Sequence, residues 1–238
     1  MSVIAVIPAR IDSTRFPRKA LADATGIPLI VHVCRQAASA SRVDRVLVAA
    51  DGDEIIQAVE AHGFDAVATD PGHPNGTSRI QEAIQDIDCD IVVNVQGDEP
   101  EINPADIDAA IECLELHDEC SVATLATSFS PGQDQEDKNL VKVAVDEHGR
   151  AMDFSRRVLE HGRLYRHVGL YVYRRTFLDI YVNLPPTGPE QEERLEQLRI
   201  LGHGYRVAVA VVQNGWAGID TPEQYEDFVQ RWNQRDGD

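Results

Sequence analysis

Lysine occurs at only three positions in the 238-residue chain, Lys19, Lys138 and Lys142. With 22 Lys and Arg against 40 Asp and Glu, the net charge is −18. Nonspecific nucleic-acid binding needs a basic surface, and an anionic membrane surface repels an acidic chain, so both classes of partner are disfavoured. No apolar run approaches membrane-spanning length. The segment from Met1 to Pro8 lacks a basic stretch and reads as a strand, not as a signal peptide. The four cysteines (Cys34, Cys89, Cys113 and Cys120) form no C-x-x-C pair. Buried free thiols in a reducing compartment, and hence a cytoplasmic location, fit them better than disulfides or zinc. Neither G-x-G-x-x-G nor G-x-x-x-x-G-K-[ST] is present, which removes the two commonest glycine-rich phosphate cradles.

What is there is an alternation of short apolar strands and amphipathic helices. Strands are expected at Val3–Ile7, Arg45–Ala50, Phe64–Ala68, Ile91–Val95 and Val122–Ala126. Between them lie a helix opened by Pro28, one over Asp53–His62, one with Ile80, Ala83, Ile84 and Ile87 on its face, and one started by Asn103 and Pro104. This rhythm predicts an α/β fold with a doubly wound, mostly parallel sheet, whose chemistry lies beyond the carboxyl ends of the strands. The second half is less regular. Strands are expected at Val141–Val145, Val168–Tyr173 and Arg206–Val212, a charged helix over Glu190–Leu201, and a last helix begun by the capping box Thr221-Pro222-Glu223-Gln224. Gln133 to Asp137 reads as a polar loop.

Two post-strand segments stand out. After the first strand, Arg10, Ser13, Thr14, Arg15, Arg18 and Lys19 gather cations and hydroxyls in a very acidic chain. Arg binds phosphate oxygens bidentately and Lys offers a point charge, so phosphate binding is favoured over a solvated loop paired with surface carboxylates. After Ile91–Val95 comes Gln96-Gly97-Asp98-Glu99-Pro100. A carboxylate at a strand's end suits Mg²⁺, which takes a few carboxylate oxygens plus substrate phosphates; an ordinary polar turn explains the segment equally well. Asp220 is the second carboxylate candidate, with local helix capping as the plainer explanation. In His73-Pro74-Asn75-Gly76-Thr77-Ser78-Arg79 the Asn-Gly pair marks a turn, with Thr77 expected to cap the next helix; backbone groups there could read a base edge. Arg156, Arg157, Arg166 and His167 could bind a substrate carboxylate, against surface charge and a hydrogen-bonded structural histidine. Glu193, Glu196, Gln197 and Arg199 are explained by a solvated helix face with i,i+3 pairing.

Together these segments, with Leu-Val-Lys-Val at 140–143, Asp-Phe-Ser-Arg at 153–156, Arg-His-Val-Gly-Leu-Tyr at 166–171, Leu-Glu-Gln-Leu-Arg at 195–199 and Gly-Ile-Asp-Thr-Pro-Glu at 218–223, resemble the 3-deoxy-manno-octulosonate (Kdo) cytidylyltransferases in order and nearly over the whole chain. The resemblance implies transfer of CMP from CTP to Kdo with release of pyrophosphate, Mg²⁺ as cofactor, a homodimer, a role in lipopolysaccharide precursor synthesis, and a nucleotide-diphospho-sugar transferase-like, Rossmann-like fold. It implies one nucleotidyltransferase domain over 1–238: a nucleotide-binding half over 1–130, a smaller mixed sugar-binding and dimerisation region over 131–215, and a C-terminal helix over 216–238. By motif position, Arg10, Ser13, Arg15 and Lys19 would hold the triphosphate. Asn75, Gly76 and Gln96 would lie near the cytosine, Asp98 and Asp220 would hold Mg²⁺, and Lys19, Arg15, Asp98 and Asp220 would form the catalytic set. Arg156, His167, Tyr171, Glu196 and Gln197 would face the sugar. The sequence departs from the family's usual Ser at Asn75, from its usual acidic residue at Ser78, and from its Ile-Pro segment, here shortened to Arg157-Val158-Leu159-Glu160-His161. The last departure leaves another acidic sugar, such as an 8-amino octulosonate or a sialic-acid-like sugar, as an alternative, together with a catalytically silent nucleotide-binding relative.

Overall fold

A computed structural model of the chain describes residues 1–213, 215 and 218–235, which form two compact units. The first comprises residues 2–89, 94–104 and the described part of 216–238; the second comprises residue 1, 90–93 and 105–215.

In the first unit, strands β1 (Val3–Ala9), β2 (Arg45–Ala50) and β3 (Asp65–Ala68) run parallel in the order β3-β2-β1. The apolar run of β1 is buried from Val3 to Ile7, as a strand covered on both faces requires. Helices α1 (Leu29–Ala38), α2 (Asp53–Glu60) and α3 (Gly76–Ala83) alternate with the strands. Helix α3 stops before Ile87, because Ile84 leaves helical geometry at its end. Asn75, not Thr77, caps α3: its side chain accepts from the Ser78 N–H at 2.9 Å, and Thr77 is buried.

The last helix, α8 (Pro222–Arg235), belongs to this unit. Leu29, Ile219, Tyr225 and Phe228 form a buried cluster, with Phe16, Ala22 and Trp232 packed on it. The His32 ring sits edge-on to Phe228 and Trp232, and the Tyr225 hydroxyl accepts from the Ala24 N–H at 2.8 Å. Helix α8 thereby holds residues 16–32 against the 219–225 segment. Its capping box is as expected: Gln224 Oε1 accepts from the Thr221 N–H at 3.0 Å, and Thr221 Oγ1 from the Gln224 N–H at 3.4 Å.

The second unit is mixed. It contains β4 (Ile91–Asn94, except its last residue), α4 (Pro104–Leu116, except its first), β5 (Val122–Thr127), β6 (Lys142–Val145), β7 (Ala151–Ser155), β8 (Arg163–Arg174), α5 (Arg175–Tyr181), α6 (Gly188–Glu193), α7 (Gln197–Gly202) and β9 (Val207–Val212). The order is β4-β8-β5-β9, with β6 between β7 and β8. Strand β5 is parallel to β9 and antiparallel to β8. The expected charged helix over Glu190–Leu201 is two helices. Arg194 adopts φ 56°, a left-handed conformation, and ends α6. Nor does Arg199 pair on a solvated face: it reaches Glu190 at 2.5 and 2.9 Å, with both side chains largely buried. The four cysteines are free and buried, and burial pushes the Cys34 thiol up to about 12. Among the described residues no helix is long and apolar enough to cross a membrane.

Candidate active site

The loop after β1 is braced from below. Asp51, at the end of β2, accepts the Ile11 N–H at 2.8 Å and pairs with fully buried Arg79 at 3.1 Å. Gly97 lets the 96–98 turn lie against β1, since a Cβ there would stand 2.8 Å from the Pro8 carbonyl oxygen. The Val95 N–H donates to Val6 O at 3.2 Å, carrying the segment alongside β1 into Asp98. The Ile219 N–H donates to Asp98 O at 2.8 Å, which brings the distant 218–220 segment to the same turn.

These contacts converge on Lys19. Its ammonium donates to Asp98 Oδ2 at 2.8 Å and to Ile219 O at 2.7 Å, and lies 3.6 Å from Asp220 Oδ1. Arg15 reaches Asp220 Oδ1 at 2.8 Å. The Asp220 carboxylate is not used for capping; its backbone N–H instead donates to Gln224 Oε1 at 2.6 Å. Residues 8–10, 12–15, 19 and 20, with Gly76, Gln96, Gly97 and Asp98, line a cavity of ≈ 480 Å³. Asp98, Lys19 and Arg15 from its lining form, with Asp220, a charge-balanced cluster of two carboxylates and two cations. The Arg15–Asp220 pair is solvent-exposed, with side chains 67% and 40% accessible, and such pairs contribute only about 0–1 kcal/mol. An anionic ligand can therefore displace it at little cost, whereas Lys19, 14% exposed, is held in place.

Arg10, which lines the cavity, pairs with no carboxylate among the described residues; its Nη2 reaches the His73 carbonyl at 3.4 Å. Ser13 and Thr14 line the cavity and Gln96 Nε2 donates to Asn94 Oδ1 at 3.2 Å. Arg18 departs from the group: it adopts φ 57° and turns to Glu54, forming a fork-like ion pair. Gly76 lines the cavity, while the Asn75 side-chain oxygen is committed to the α3 cap.

The structure also shows residues that sequence reasoning missed. Asp51 is a carboxylate at a strand's end, the same signal that singles out Asp98. Glu99 is buried beside Asp98 with one carboxylate oxygen lacking a partner; burial, and then the neighbouring charge, raise it to about 8. His73 and Glu82 pair directly.

The residues expected to face a sugar lie in the second unit. The Arg156 guanidinium donates to the carbonyls of Glu193 at 3.2 Å and Lys138 at 3.3 Å, while Glu193's carboxylate takes the Arg156 N–H. Lys142 is buried with three backbone carbonyls around its ammonium. His167 and Tyr171 come together, ring centroids 5.6 Å apart, where a bulge interrupts the β5–β8 register. Glu196 is exposed, Gln197 is buried at the start of α7, and the Glu196 carbonyl accepts from the Tyr181 hydroxyl.

His167 behaves as a hydrogen-bonded structural histidine. Its Nε2 is 2.9 Å from Thr124 Oγ1, whose hydroxyl donates to Leu170 O at 2.7 Å, so Nε2 carries the donated hydrogen. The ring packs against Phe154 and Tyr171, and burial lowers its pKa to about 3. The native state thus refuses a proton that the unfolded chain accepts near 6.5. The stabilisation is complete above 6.5 and is lost as pH falls towards 3. The residue keeps partial exposure, which sets the effect at about 1–2 kcal/mol by pH 5. His167→Gln, which keeps a donor at this end, should flatten the decline in Tm between pH 7 and pH 5 by about 4 °C in thermal melts. An unchanged slope would show that His167 is not the group refusing the proton.

Comparison with known proteins decides the family. A family model described as "Cytidylyltransferase" matches residues 4–207. The 3-deoxy-manno-octulosonate cytidylyltransferase of Geotalea uraniireducens is 43% identical over 97% of this chain and 99% of its own. The chain belongs to the 3-deoxy-manno-octulosonate cytidylyltransferase family. The corresponding protein of Geobacter metallireducens is 42% identical over 97% of this chain and 98% of its own. Among solved structures, CMP:2-keto-3-deoxy-manno-octonic acid synthetase complexed with CTP superposes with TM-score 0.94 at 36% identity, covering 99% of this chain and all of that one. A nucleotidyl transferase from Methanothermobacter thermautotrophicus, at 17% identity and TM-score 0.69, shares the fold. Within this family the fold is the expected one: a mostly parallel, mixed sheet with flanking helices, Rossmann-like in character.

Proposed function

We propose that this chain transfers CMP from CTP to Kdo, releasing pyrophosphate, and that the cavity beyond β1 holds the triphosphate. The observation that carries the reading is the Lys19 ammonium set between the Asp98 and Asp220 carboxylates, with Lys19 and Asp98 lining that cavity, in a member of this family. The anomeric hydroxyl oxygen of the sugar forms a bond to the α-phosphorus. The bond from that phosphorus to the α,β-bridging oxygen breaks, and pyrophosphate leaves with the bonding electrons. The hydroxyl proton passes to solvent. Such a displacement asks for alignment and charge neutralisation more than covalent help. Arg10, Arg15 and the Ser13–Thr14 segment orient the phosphates, Lys19 offsets charge growing on the leaving group, and the Gly76 turn with Gln96 borders the base.

The donor set suits a divalent cation. Asp98 and Asp220 are hard oxygen ligands, 30% and 40% exposed, that already share one cation, the Lys19 ammonium. Mg²⁺ held there would supply Lewis-acid neutralisation of phosphate oxygens. Arg156, His167, Tyr171, Glu196 and Gln197 are read as the sugar side, with backbone-held Arg156 offering the cation for the sugar's carboxylate. The same reading carries a cytoplasmic homodimer that supplies an activated sugar for lipopolysaccharide assembly; its support is the family resemblance.

Pyrophosphate release with Mg²⁺ and a panel of nucleotides and acidic sugars tests the reading. Release with CTP and Kdo is expected. The 8-amino octulosonate belongs in the panel because residues 157–161 depart from the family. CTP binding without release for any sugar would contradict the proposal.

A further inference from the structure

Arg156 is held at almost every polar group it has. Its N–H donates to Glu193 Oε2 at 3.1 Å, and its carbonyl accepts from Lys142 Nζ at 2.8 Å. Its guanidinium donates from Nε to the Glu193 carbonyl at 3.2 Å and from Nη1 to the Lys138 carbonyl at 3.3 Å. Nη2 has no partner among the described residues. A guanidinium is a rigid fork of N–H donors that matches a carboxylate. The two carbonyls take one hydrogen each and leave those of Nη2, with one on Nη1, for such a ligand.

Two residues build this clamp. Lys142 stands opposite Ser155 in the β6–β7 ladder, which carries it to the 155–157 turn. Its side chain is fully buried, and its three ammonium hydrogens match three backbone carbonyls, those of Asp137 at 2.6 Å, Leu140 at 3.1 Å and Arg156 at 2.8 Å. One ammonium thus ties the 137–140 loop, whose Lys138 carbonyl takes Nη1, to the backbone of Arg156. Glu193 is the last residue of α6, because Arg194 turns left-handed after it. Its carbonyl therefore belongs to the turn whose carbonyls have no partner within the helix, and it is open to Nε. Its carboxylate is spent on the strand end: Oε1 accepts from Ser155 Oγ at 3.2 Å and Oε2 from the Arg156 N–H.

The partners leave the charge of Arg156 in place. Neither Lys142 nor Arg156 forms an ion pair with a carboxylate among the described residues, in a chain of net charge −18. The carboxylates of Asp134, Glu136 and Asp137 act on Lys142 through space without pairing. A buried cation is costly unless it is compensated. Here carbonyl dipoles compensate it, so two neighbouring cations remain to attract an anion. We propose that Lys142 and Glu193 are positioning residues for the sugar: they fix Arg156 from both sides so that its free guanidinium edge meets the sugar's carboxylate. This rests on the reading of Arg156 as the cation for that carboxylate.

Steady-state pyrophosphate release, with CTP and Kdo varied in turn, tests the proposal in the unmodified protein, Glu193→Ala, Glu193→Gln, Lys142→Met and Arg156→Ala, and in the double variant of Glu193→Ala with Arg156→Ala. Glu193→Ala and Lys142→Met should each raise KM for Kdo roughly tenfold, the worth of about one hydrogen bond, with kcat and KM for CTP little changed. Glu193→Gln keeps an acceptor for the Arg156 N–H and should recover most of the affinity. In the Arg156→Ala background, Glu193→Ala should add almost nothing, because the guanidinium it positions is gone; a purely structural role would give additive losses. Glu193→Ala carries the test if Lys142→Met fails to fold. An unchanged KM for Kdo in folded Glu193→Ala, an equal rise in KM for CTP, or full additivity with Arg156→Ala would overturn the proposal. An unchanged KM for Kdo in Arg156→Ala would instead refute the reading of Arg156 and the proposal with it, and no release by the unmodified protein would refute the proposed function itself.

Discussion

Asp98→Asn should lower Mg²⁺-dependent turnover by at least about a hundredfold, on the scale of deleting one preorganised charge-stabilising group. The substitution preserves size and leaves the backbone bond from Ile219 N–H to Asp98 O intact. What it removes is half of the carboxylate pair and the charge facing Lys19 at 2.8 Å. The folded state should survive, because the turn is held by the Gly97 approach to Pro8 and by α8, neither of which uses the carboxylate. Raising Mg²⁺ should restore only part of the activity, since the defect lies in ligand geometry as well as in affinity. Steady-state pyrophosphate release with a parallel thermal melt checks this. Near-normal turnover at ordinary Mg²⁺ would remove Asp98 from the metal's coordination.

Lys19→Ala carries the second large effect. The ammonium makes charge-assisted hydrogen bonds to Asp98 and to the Ile219 carbonyl, and faces Asp220. Losing it should cost on the order of 1.5–3 kcal/mol in transition-state stabilisation, or ~10- to 150-fold in kcat/KM. The apoprotein should pay as well: two carboxylates gathered by the 98 and 218–220 segments would face each other with only exposed Arg15 to offset them. Mg²⁺ should therefore stabilise Lys19→Ala against heat more than it stabilises the unmodified protein. Unchanged kcat/KM would take Lys19 out of the reaction. Activity loss without the larger Mg²⁺-dependent rise in Tm would make it a phosphate ligand that does not neutralise the carboxylate pair.

Much of this architecture was legible because local signals agreed with the global fold. The apolar runs at Val3–Ile7 and Ile91–Val95 predict buried strands, and the polar residues after each fall at their carboxyl ends. Arg10, Ser13, Arg15 and Lys19 all line one cavity, as strand-end logic anticipates. Pairing across long sequence separations carried no such signal: nothing local to Asp220 distinguishes a cap from a carboxylate pointing at Lys19. The same limit hid the brace from Asp51 to Ile11 and the Arg199–Glu190 pair. Backbone exceptions were also silent. Arg18 and Arg194 take left-handed conformations without the Gly or Asn that usually marks them, so the helix break at Arg194 and the diversion of Arg18 to Glu54 left no trace in composition. The short strand Ala151–Ser155 was missed because only its last two residues are buried, which weakens the alternation.

Binding of Mn²⁺, a paramagnetic substitute for Mg²⁺, tests the shared metal–nucleotide site most directly. Electron paramagnetic resonance of the free ion would follow its uptake in the presence of CTP, for the unmodified protein, Asp98→Asn and Asp220→Asn. Uptake that requires CTP and is weakened in both variants is the expected result. Equal uptake in all three proteins would mean that the ion and the nucleotide are held somewhere other than between Lys19, Asp98 and Asp220.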